Sequence, residues 1–360
     1  MAEIYKKFST TLYEALYLVD EDQDGLRLDQ YCAHFLQSFS REAIKRKIAA
    51  GEVKILDRPF PHKPSVKVYH QEKVLFNTPR GDLEDEYWRG ELLELEFDPE
   101  ILFEDEDIIA ISKPSYMTTH PSGKHLFNCA TVYFQEKYGH TIHSIHRIDR
   151  ETSGVLLLAK NPKAAGKCTA LFENDLVNKC YFFISEKKNE NKFPFIAKER
   201  MGSLDDFIPK LFVHCFDESS KQGKHAQTTF HGLFENQNYI LGLAFPKTGR
   251  QHQIRAHASH HGFPLVGDKL YNGDPRVFMR FKDGIATAKD HDLMDLSHHA
   301  LHAVALQFPY PNKELKLITS VIPKDFKDWM KEKMPEVSIE KLNSDLVKKV
   351  EEVFKNLHSD

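Results

Sequence analysis

The stretch His146-Arg147-Ile148-Asp149-Arg150-Glu151-Thr152-Ser153-Gly154 runs directly into the apolar segment Val155 to Ala159 and then Lys160. An unbroken apolar run of this length behind a Thr-Ser-Gly turn reads as a buried strand. The carboxylate of Asp149 is therefore fixed at a strand entrance, with an arginine on each side. Nearby positive charge favours the ionised form of an acid. A firmly held, ionised aspartate suits nucleophilic or electrostatic work. An isolated Asp–Arg neighbourhood is more often a structural ion pair, so the surrounding sequence has to decide.

About a hundred residues later comes Gly249-Arg250-Gln251-His252-Gln253-Ile254-Arg255-Ala256-His257, then Gly262-Phe263-Pro264-Leu265-Val266-Gly267-Asp268 and Tyr271. Between the two segments lies Lys179-Cys180-Tyr181. Shorter strings flank them: Lys113-Pro114 with His120-Pro121, Ala226-Gln227-Thr228, and Ala300-Leu301-His302-Ala303 with Phe308-Pro309. In this order they resemble the motifs of the RluA-type pseudouridine synthases over roughly residues 25–325. Two departures stand out. Gln251 occupies a position where the family usually has threonine, and His298-His299 one where it usually has Arg-Gln.

The resemblance implies an α+β fold, with a mixed, mainly antiparallel sheet and flanking helices. It implies Asp149, Tyr181 and Arg255 as catalytic residues. Arg255 would keep Asp149 ionised, and Tyr181 would stack on the target base. Arg147 would fill the space that base leaves. Ile254, His120 and Arg250 would line the RNA site. The implied reaction turns a flipped-out uridine into pseudouridine. Asp149 would add to the uracil ring, attack the anomeric carbon or deprotonate the sugar, and the sequence leaves all three open. No metal or cofactor is implied.

A second resemblance covers Gly25 to Thr78. Leu28, Tyr31, Cys32, Phe35 and Phe39 recur at helical spacing, and Ser40 can cap a second helix over Arg41–Ala50. Gly51 ends it, and Val53 and Ile55 begin a strand. Arg41, Lys45, Arg46, Lys47 and Lys54 outnumber Glu42 and Glu52 in a chain of formal net charge −4. Such a run is often only a solvated face. The order of elements resembles the small RNA-binding fold of ribosomal small-subunit protein four, which implies that Arg41, Lys45, Arg46 and Lys54 contact phosphates.

At 360 residues the chain has room for about two domains of roughly 150 residues. The expected organisation is an N-terminal extension with some helical character (1–24), the small RNA-binding domain (25–78), an acidic linker (79–99), the catalytic domain (100–325) and a helical tail (326–360). Short strands are expected at Val66, Val68, Val74, Phe76, Ile108–Ile111, Cys180–Ile184 and Ile240–Phe245, with helices over Ala130–Tyr138 and Ala164–Glu173. Ile339, Leu342, Leu346, Val350, Val353 and Leu357 give the tail an apolar stripe.

The five cysteines are too scattered for a zinc site or a disulfide framework. His140, His143 and His146, and His257 with His260, carry no accompanying ligand pattern. The N-terminal residues mix lysines with acids, unlike a signal or transit peptide, and no apolar run reaches the roughly 18–20 residues of a membrane span. A cytoplasmic monomer with RNA as partner is expected, either ribosomal or transfer RNA. Two rivals are a non-catalytic RNA-binding protein that kept the fold, and a glycosidase-like hydrolase. The hydrolase would need a second positioned carboxyl, and Glu151 is the only one close in sequence.

Overall fold

The computed structural model describes residues 2–36, 39–81, 84–123, 125–204, 211–310 and 314–356. Two compact units emerge: Met1–Asp85 with His120–Ile142, and Glu86–Thr119 with His143–Asp360.

The first unit holds a four-stranded antiparallel sheet of β1 (Ala2–Phe8), β2 (Leu12–Leu18), β3 (Val53–Ile55) and β4 (Lys73–Pro79), in the order β1-β2-β4-β3. Helices α1 (Leu28–Phe35) and α2 (Arg41–Ala49) supply Leu28, Tyr31, Cys32, Ile44 and Ile48 to its core. Ser40 caps α2 by accepting the Ala43 N–H at 3.2 Å. The helical character expected of the N-terminal residues is overturned, because they form β1 and β2. The cause is a period of two: Tyr13, Ala15, Tyr17 and Val19 all point into the core. Val66 and Val68 also reach that core, in a segment tied to residues 25–28 by an isolated Arg27–Lys67 bridge and backbone hydrogen bonds rather than by a strand.

Residues 120–142 lie within the sequence-based catalytic segment yet pack with this first unit. Their helix α3 (Ala130–Tyr138) offers Glu136 to the Thr10 N–H at 2.8 Å. Buried Glu84 accepts the N–H groups of Leu126, Phe127 at 2.9 Å and Asn128 at 2.7 Å.

The second unit begins with a hairpin of β5 (Tyr87–Trp88) and β6 (Glu91–Leu92). Next come β7 (Glu100–Glu104), β8 (Ile108–Lys113), β9 (His143–Ser144), β10 (Ser153–Ala159), helix α4 (Pro162–Glu173) and β11 (Asn178–Glu186). Then follow β12 (Phe195–Ala197), β13 (Arg200–Gly202), β14 (His214–Phe216), β15 (Thr228–Glu235), β16 (Tyr239–Pro246) and α5 (Gln253–His260). The chain continues through α6 (Arg276–Lys282), α7 (Ala288–Met294), β17 (Leu301–Pro309), β18 (Leu315–Thr319), α8 (Lys324–Lys333) and α9 (Ile339–Asn356).

The main sheet has the order β12-β15-β16-β11-β17-β10-β8-β7, with β9 on β10 and β18 on β17. Its pairings are antiparallel except β10 with β17. Alternation sorts its residues to two faces. Cys180, Phe182, Ile184, Leu241 and Leu243 pack under α8 and α9, against Phe326, Trp329, Met330, Leu342, Leu346, Val350 and Phe354. Tyr181, Phe183, Ile240 and Ala244 face α5 on the other side, with Ile254, Ala258 and Phe263. The apolar stripe of the tail is thus buried, with Ile339 and Val353 partly so; Leu357 lies outside the described residues.

The stretch expected as an acidic linker is not a bare spacer. Glu86 holds Arg150 at 2.7 Å, and Trp88 stacks on Phe281 of α6 with ring centroids 5.9 Å apart. Asp82, counted among its acids, lies outside the described residues.

Candidate active site

The parallel pairing of β10 with β17 positions Asp149. At the mouth of β10, Ser153 and Gly154 stand beside His302 and Ala303 of β17. Gly154 has φ +102°, and a Cβ there would penetrate the Ala303 carbonyl. Only glycine allows this close approach without strain. Thr152 Oγ1 lies 2.7 Å from His299 Nε2, and Ser153 Oγ lies 2.8 Å from His302 Nδ1. The Thr-Ser-Gly turn and the Ala-Leu-His-Ala segment are therefore one structural joint. A third tether is Lys113, whose buried ammonium donates to the carbonyls of Pro114 (2.9 Å), Met117 (2.8 Å) and Arg150 (3.1 Å). Burial lowers its pKa to about 7.

Asp149 meets Arg255 at this joint. Arg255 Nη1 donates to Asp149 Oδ2 at 2.9 Å. The rest of its guanidinium is committed to Asp268, with Nε to Oδ2 at 2.7 Å and Nη2 to Oδ1 at 2.8 Å. Such a two-point fork fixes both position and plane. Fully buried Asp268 also accepts the N–H groups of Leu270 and Tyr271 at 3.0 and 3.1 Å. The Tyr271 ring covers the Arg255 guanidinium at 5.2 Å. Just before Asp268, Gly267 (φ +75°) passes against the His298 carbonyl, where a Cβ would collide.

Burial alone would push Asp149 up. The positive field of His252, Arg255 and His299 outweighs it and holds the carboxyl at about 2. Burial and Arg255 lower His252 to about 4, so at neutral pH the charge comes from Arg255. The two arginines flanking Asp149 in sequence do something else. Arg147 is exposed and makes no ion pair among the described residues. Arg150 turns away to Glu86 at 2.7 Å and Glu151 at 3.8 Å. The Asp149 side chain is 32 % exposed. Its Oδ1 accepts no hydrogen bond among the described residues, so that oxygen is available to a substrate.

Tyr181 lies in one transverse row of the sheet: Lys113, Gly154, Ala303, Tyr181, Ala244 and Phe230 are successive cross-strand neighbours. Small residues flank the phenol ring on both sides, and a register shift between Cys180 and Tyr181 re-aims it. Burial and the neighbouring Asp149 charge raise its pKa well above the ordinary value, so the phenol stays neutral at physiological pH. Ile254 is 5 % exposed and sits mostly in the core beside Tyr181. Arg250 is exposed, and its Nε donates to the His225 carbonyl at 2.9 Å.

The other expected RNA-facing residues belong to the first unit. His120 is half-buried; Arg41, Arg46 and Lys54 are exposed; Lys45 pairs with Glu42 at 2.7 Å. Glu151 is engaged by Lys269 at 3.0 Å and lies 3.4 Å from His299. Those contacts hold it well below the usual carboxylate range and give it a structural partner set. The sequence reading assigned no role to His252, Asp268, Tyr271 or His299. The first three were visible only as parts of the Gly-Arg and Gly-Asp strings, and His299 only as a departure.

Residues 107–260 match the family model described as RNA pseudouridylate synthase. The chain is 29 % identical over 318 residues to ribosomal large subunit pseudouridine synthase D of Borreliella burgdorferi, covering 84 % of this chain and 88 % of that one. It is 33 % identical over 175 residues to the mitochondrial tRNA pseudouridine(32) synthase of Saccharomyces cerevisiae, covering 48 % and 37 %. The chain is an RNA pseudouridine synthase, an isomerase acting on RNA. Its fold is like that of human RNA pseudouridylate synthase domain containing 4, with a TM-score of 0.51 at 23 % identity over 64 % of this chain and 91 % of that one. Among the described residues, no helix is long and apolar enough to cross a membrane.

Proposed function

We propose that this synthase isomerises specific uridines of large-subunit ribosomal RNA, working as a cytoplasmic monomer. The reaction breaks the bond from N1 of uracil to C1′ of the ribose and makes one from C5 to the same carbon. The C5 proton is lost to solvent and N1 gains one, so no redox partner or cofactor is required. The target base must first leave its stack, at a cost of a few kcal/mol. Exposed Arg147 occupies the vacated space and grips phosphate. The base then lies on Tyr181, as extruded bases commonly lie on aromatic rings. Asp149 acts through its open Oδ1, kept ionised by Arg255. Ile254 supports the base from the core side, while Arg250 and His120 contact the RNA. The first unit acts as an RNA-binding domain like that of ribosomal small-subunit protein four, with Arg41, Lys45, Arg46 and Lys54 on phosphates.

The observation that carries this reading is the Asp149 carboxylate, held ionised and half-open beside Tyr181 by an arginine that Asp268 locks in place. The ribosomal target is favoured because the match to the large-subunit synthase extends over 84 % of this chain and 88 % of that relative. The higher identity of the shorter match keeps transfer RNA as the second reading. The test is tritium release from [5-³H]uridine in RNA fractionated into ribosomal and transfer pools, with wild type and Asp149→Ala. Release from the large-subunit fraction by wild type alone is expected. Release only from transfer RNA would move the target, and equal release by Asp149→Ala would remove Asp149 from the chemistry.

A further inference from the structure

His252 faces the same carboxylate as Arg255, and its surroundings fix where its proton sits. Its Nδ1 is 3.1 Å from the Tyr271 hydroxyl, which already accepts the Val213 N–H at 3.0 Å. Tyr271 is 4 % exposed. Among the described residues no other acceptor lies within hydrogen-bond distance of that hydroxyl. If His252 Nδ1 carried the proton, the phenol proton would be buried without an acceptor, which costs about 1–3 kcal/mol. The favoured arrangement has Tyr271 donating to Nδ1, which leaves the His252 proton on Nε2.

That Nε2 makes no hydrogen bond among the described residues. It stands 3.8 Å from Asp149 Oδ2, beyond bonding range, on a side chain that is 11 % exposed. The ring is also held edge to face against Tyr271, with centroids 5.7 Å apart. Finally, His252 has φ +55° at the N-cap of α5, a left-handed conformation uncommon outside glycine. Backbone strain of this kind persists where surrounding structure enforces it, often at functional sites. Here it occurs at the residue whose imidazole lies 3.8 Å from Asp149.

We propose that His252 is a substrate-contacting residue: its Nε2–H, held in that tautomer by Tyr271, donates a hydrogen bond to an oxygen of the uridine that reacts at Asp149. The inference rests on the pseudouridine synthase reading of the site and assigns it a second polar group. A uracil whose bond to C1′ breaks takes the bonding electron pair and carries negative charge on its carbonyl oxygens. A neutral N–H aimed at such an oxygen stabilises it without competing with Arg255 for Asp149.

Single-turnover tritium release is measured for wild type, His252→Ala and Tyr271→Phe, with RNA affinity and thermal melting of each. Removing one donor of this type typically slows chemistry by about 10²-fold or more. His252→Ala is therefore expected to lose about that factor in rate while binding RNA within a few-fold of wild type. Tyr271→Phe keeps the imidazole but frees its tautomer, so a smaller loss in rate is expected. ¹⁵N-histidine spectra of the free proteins give a readout independent of turnover: Nε2–H in wild type, a tautomer mixture in Tyr271→Phe. A His252→Ala rate within threefold of wild type, or an Nδ1–H tautomer in wild type, overturns the proposal. Absence of release by wild type itself would instead overturn the reading on which it rests.

Discussion

Arg255 gives up most of its donors to Asp268, and that is what makes it useful to Asp149. A freely moving arginine would gain little from one half-exposed carboxylate. Locked by Asp268 and covered by Tyr271, it presents Nη1 at a fixed point. The consequence for pH dependence has a definite sign. The folded Asp149 carboxyl lies at about 2, below its ordinary value of 3.8. Its contribution to stability is therefore complete above about pH 4 and is lost as pH falls through about 2. Wild-type turnover should accordingly show no acid limb from Asp149 above about pH 4. In Arg255→Gln, the permanent charge that opposes burial is gone and the Asp149 pKa should rise by about 1–3 units. A pH–rate profile of that variant is expected to show an acid limb displaced upward; an unmoved limb would mean that Arg255 is not the group holding Asp149 ionised. At this scale the sequence was legible in part. Asp149, Tyr181 and Arg255 stand in strings long enough to recognise. The flanking Arg147 and Arg150 were misleading as the source of charge, because sequence adjacency does not show that Arg150 turns to Glu86 and Glu151.

Between elements, the decisive joint is the parallel contact of β10 with β17. Gly154→Ala should destabilise the protein by more than about 2 kcal/mol, since it sets a methyl group on the Ala303 backbone at a positive φ. Urea unfolding would measure it, and a variant as stable as wild type would show that the two strands can separate at no cost. The Thr-Ser-Gly string is plain in the sequence, but the reason for its glycine lies some 150 residues away and cannot be read locally. The positions of β11 and β16 were more legible, as short apolar runs, but both strands are buried on both sides, so the runs do not show which residue faces which helix. The tail stripe was legible too, and it yields a prediction that separates stability from chemistry. Leu346→Ala removes a buried side chain from the cluster beneath α9, on the face opposite α5. A loss of about 2–5 kcal/mol is expected, with single-turnover rates unchanged at temperatures where the variant stays folded.

For the whole molecule, the chain order hides how the units are built. Residues 120–142 interrupt the catalytic segment yet complete the N-terminal unit, through Glu136 bonded to Thr10 and through the backbone at 126–128 bonded to Glu84. These partners are 126 and more than 40 residues apart in sequence, so composition alone read Glu84 as part of a linker. β1 and β2 were misread for a different reason: the period-two row of Tyr13, Ala15, Tyr17 and Val19 was present but mixed with charges. This construction decides how the proposed RNA contacts should be tested. Deleting the first 80 residues would strip 120–142 of its packing and confuse folding with affinity. Substituting Arg41, Lys45, Arg46 and Lys54 together by glutamine leaves the core of α1, α2 and the four strands untouched, since none of these side chains belongs to it. Each lost phosphate contact should lower the slope of log affinity against log salt by about 0.7–0.9. The quadruple variant is therefore expected to bind RNA more weakly at low salt, with a shallower slope and an unchanged rate for bound RNA. A slope equal to that of wild type would remove α2 and β3 from the RNA-binding surface, and a fall in the bound rate would mean that these residues also position the substrate.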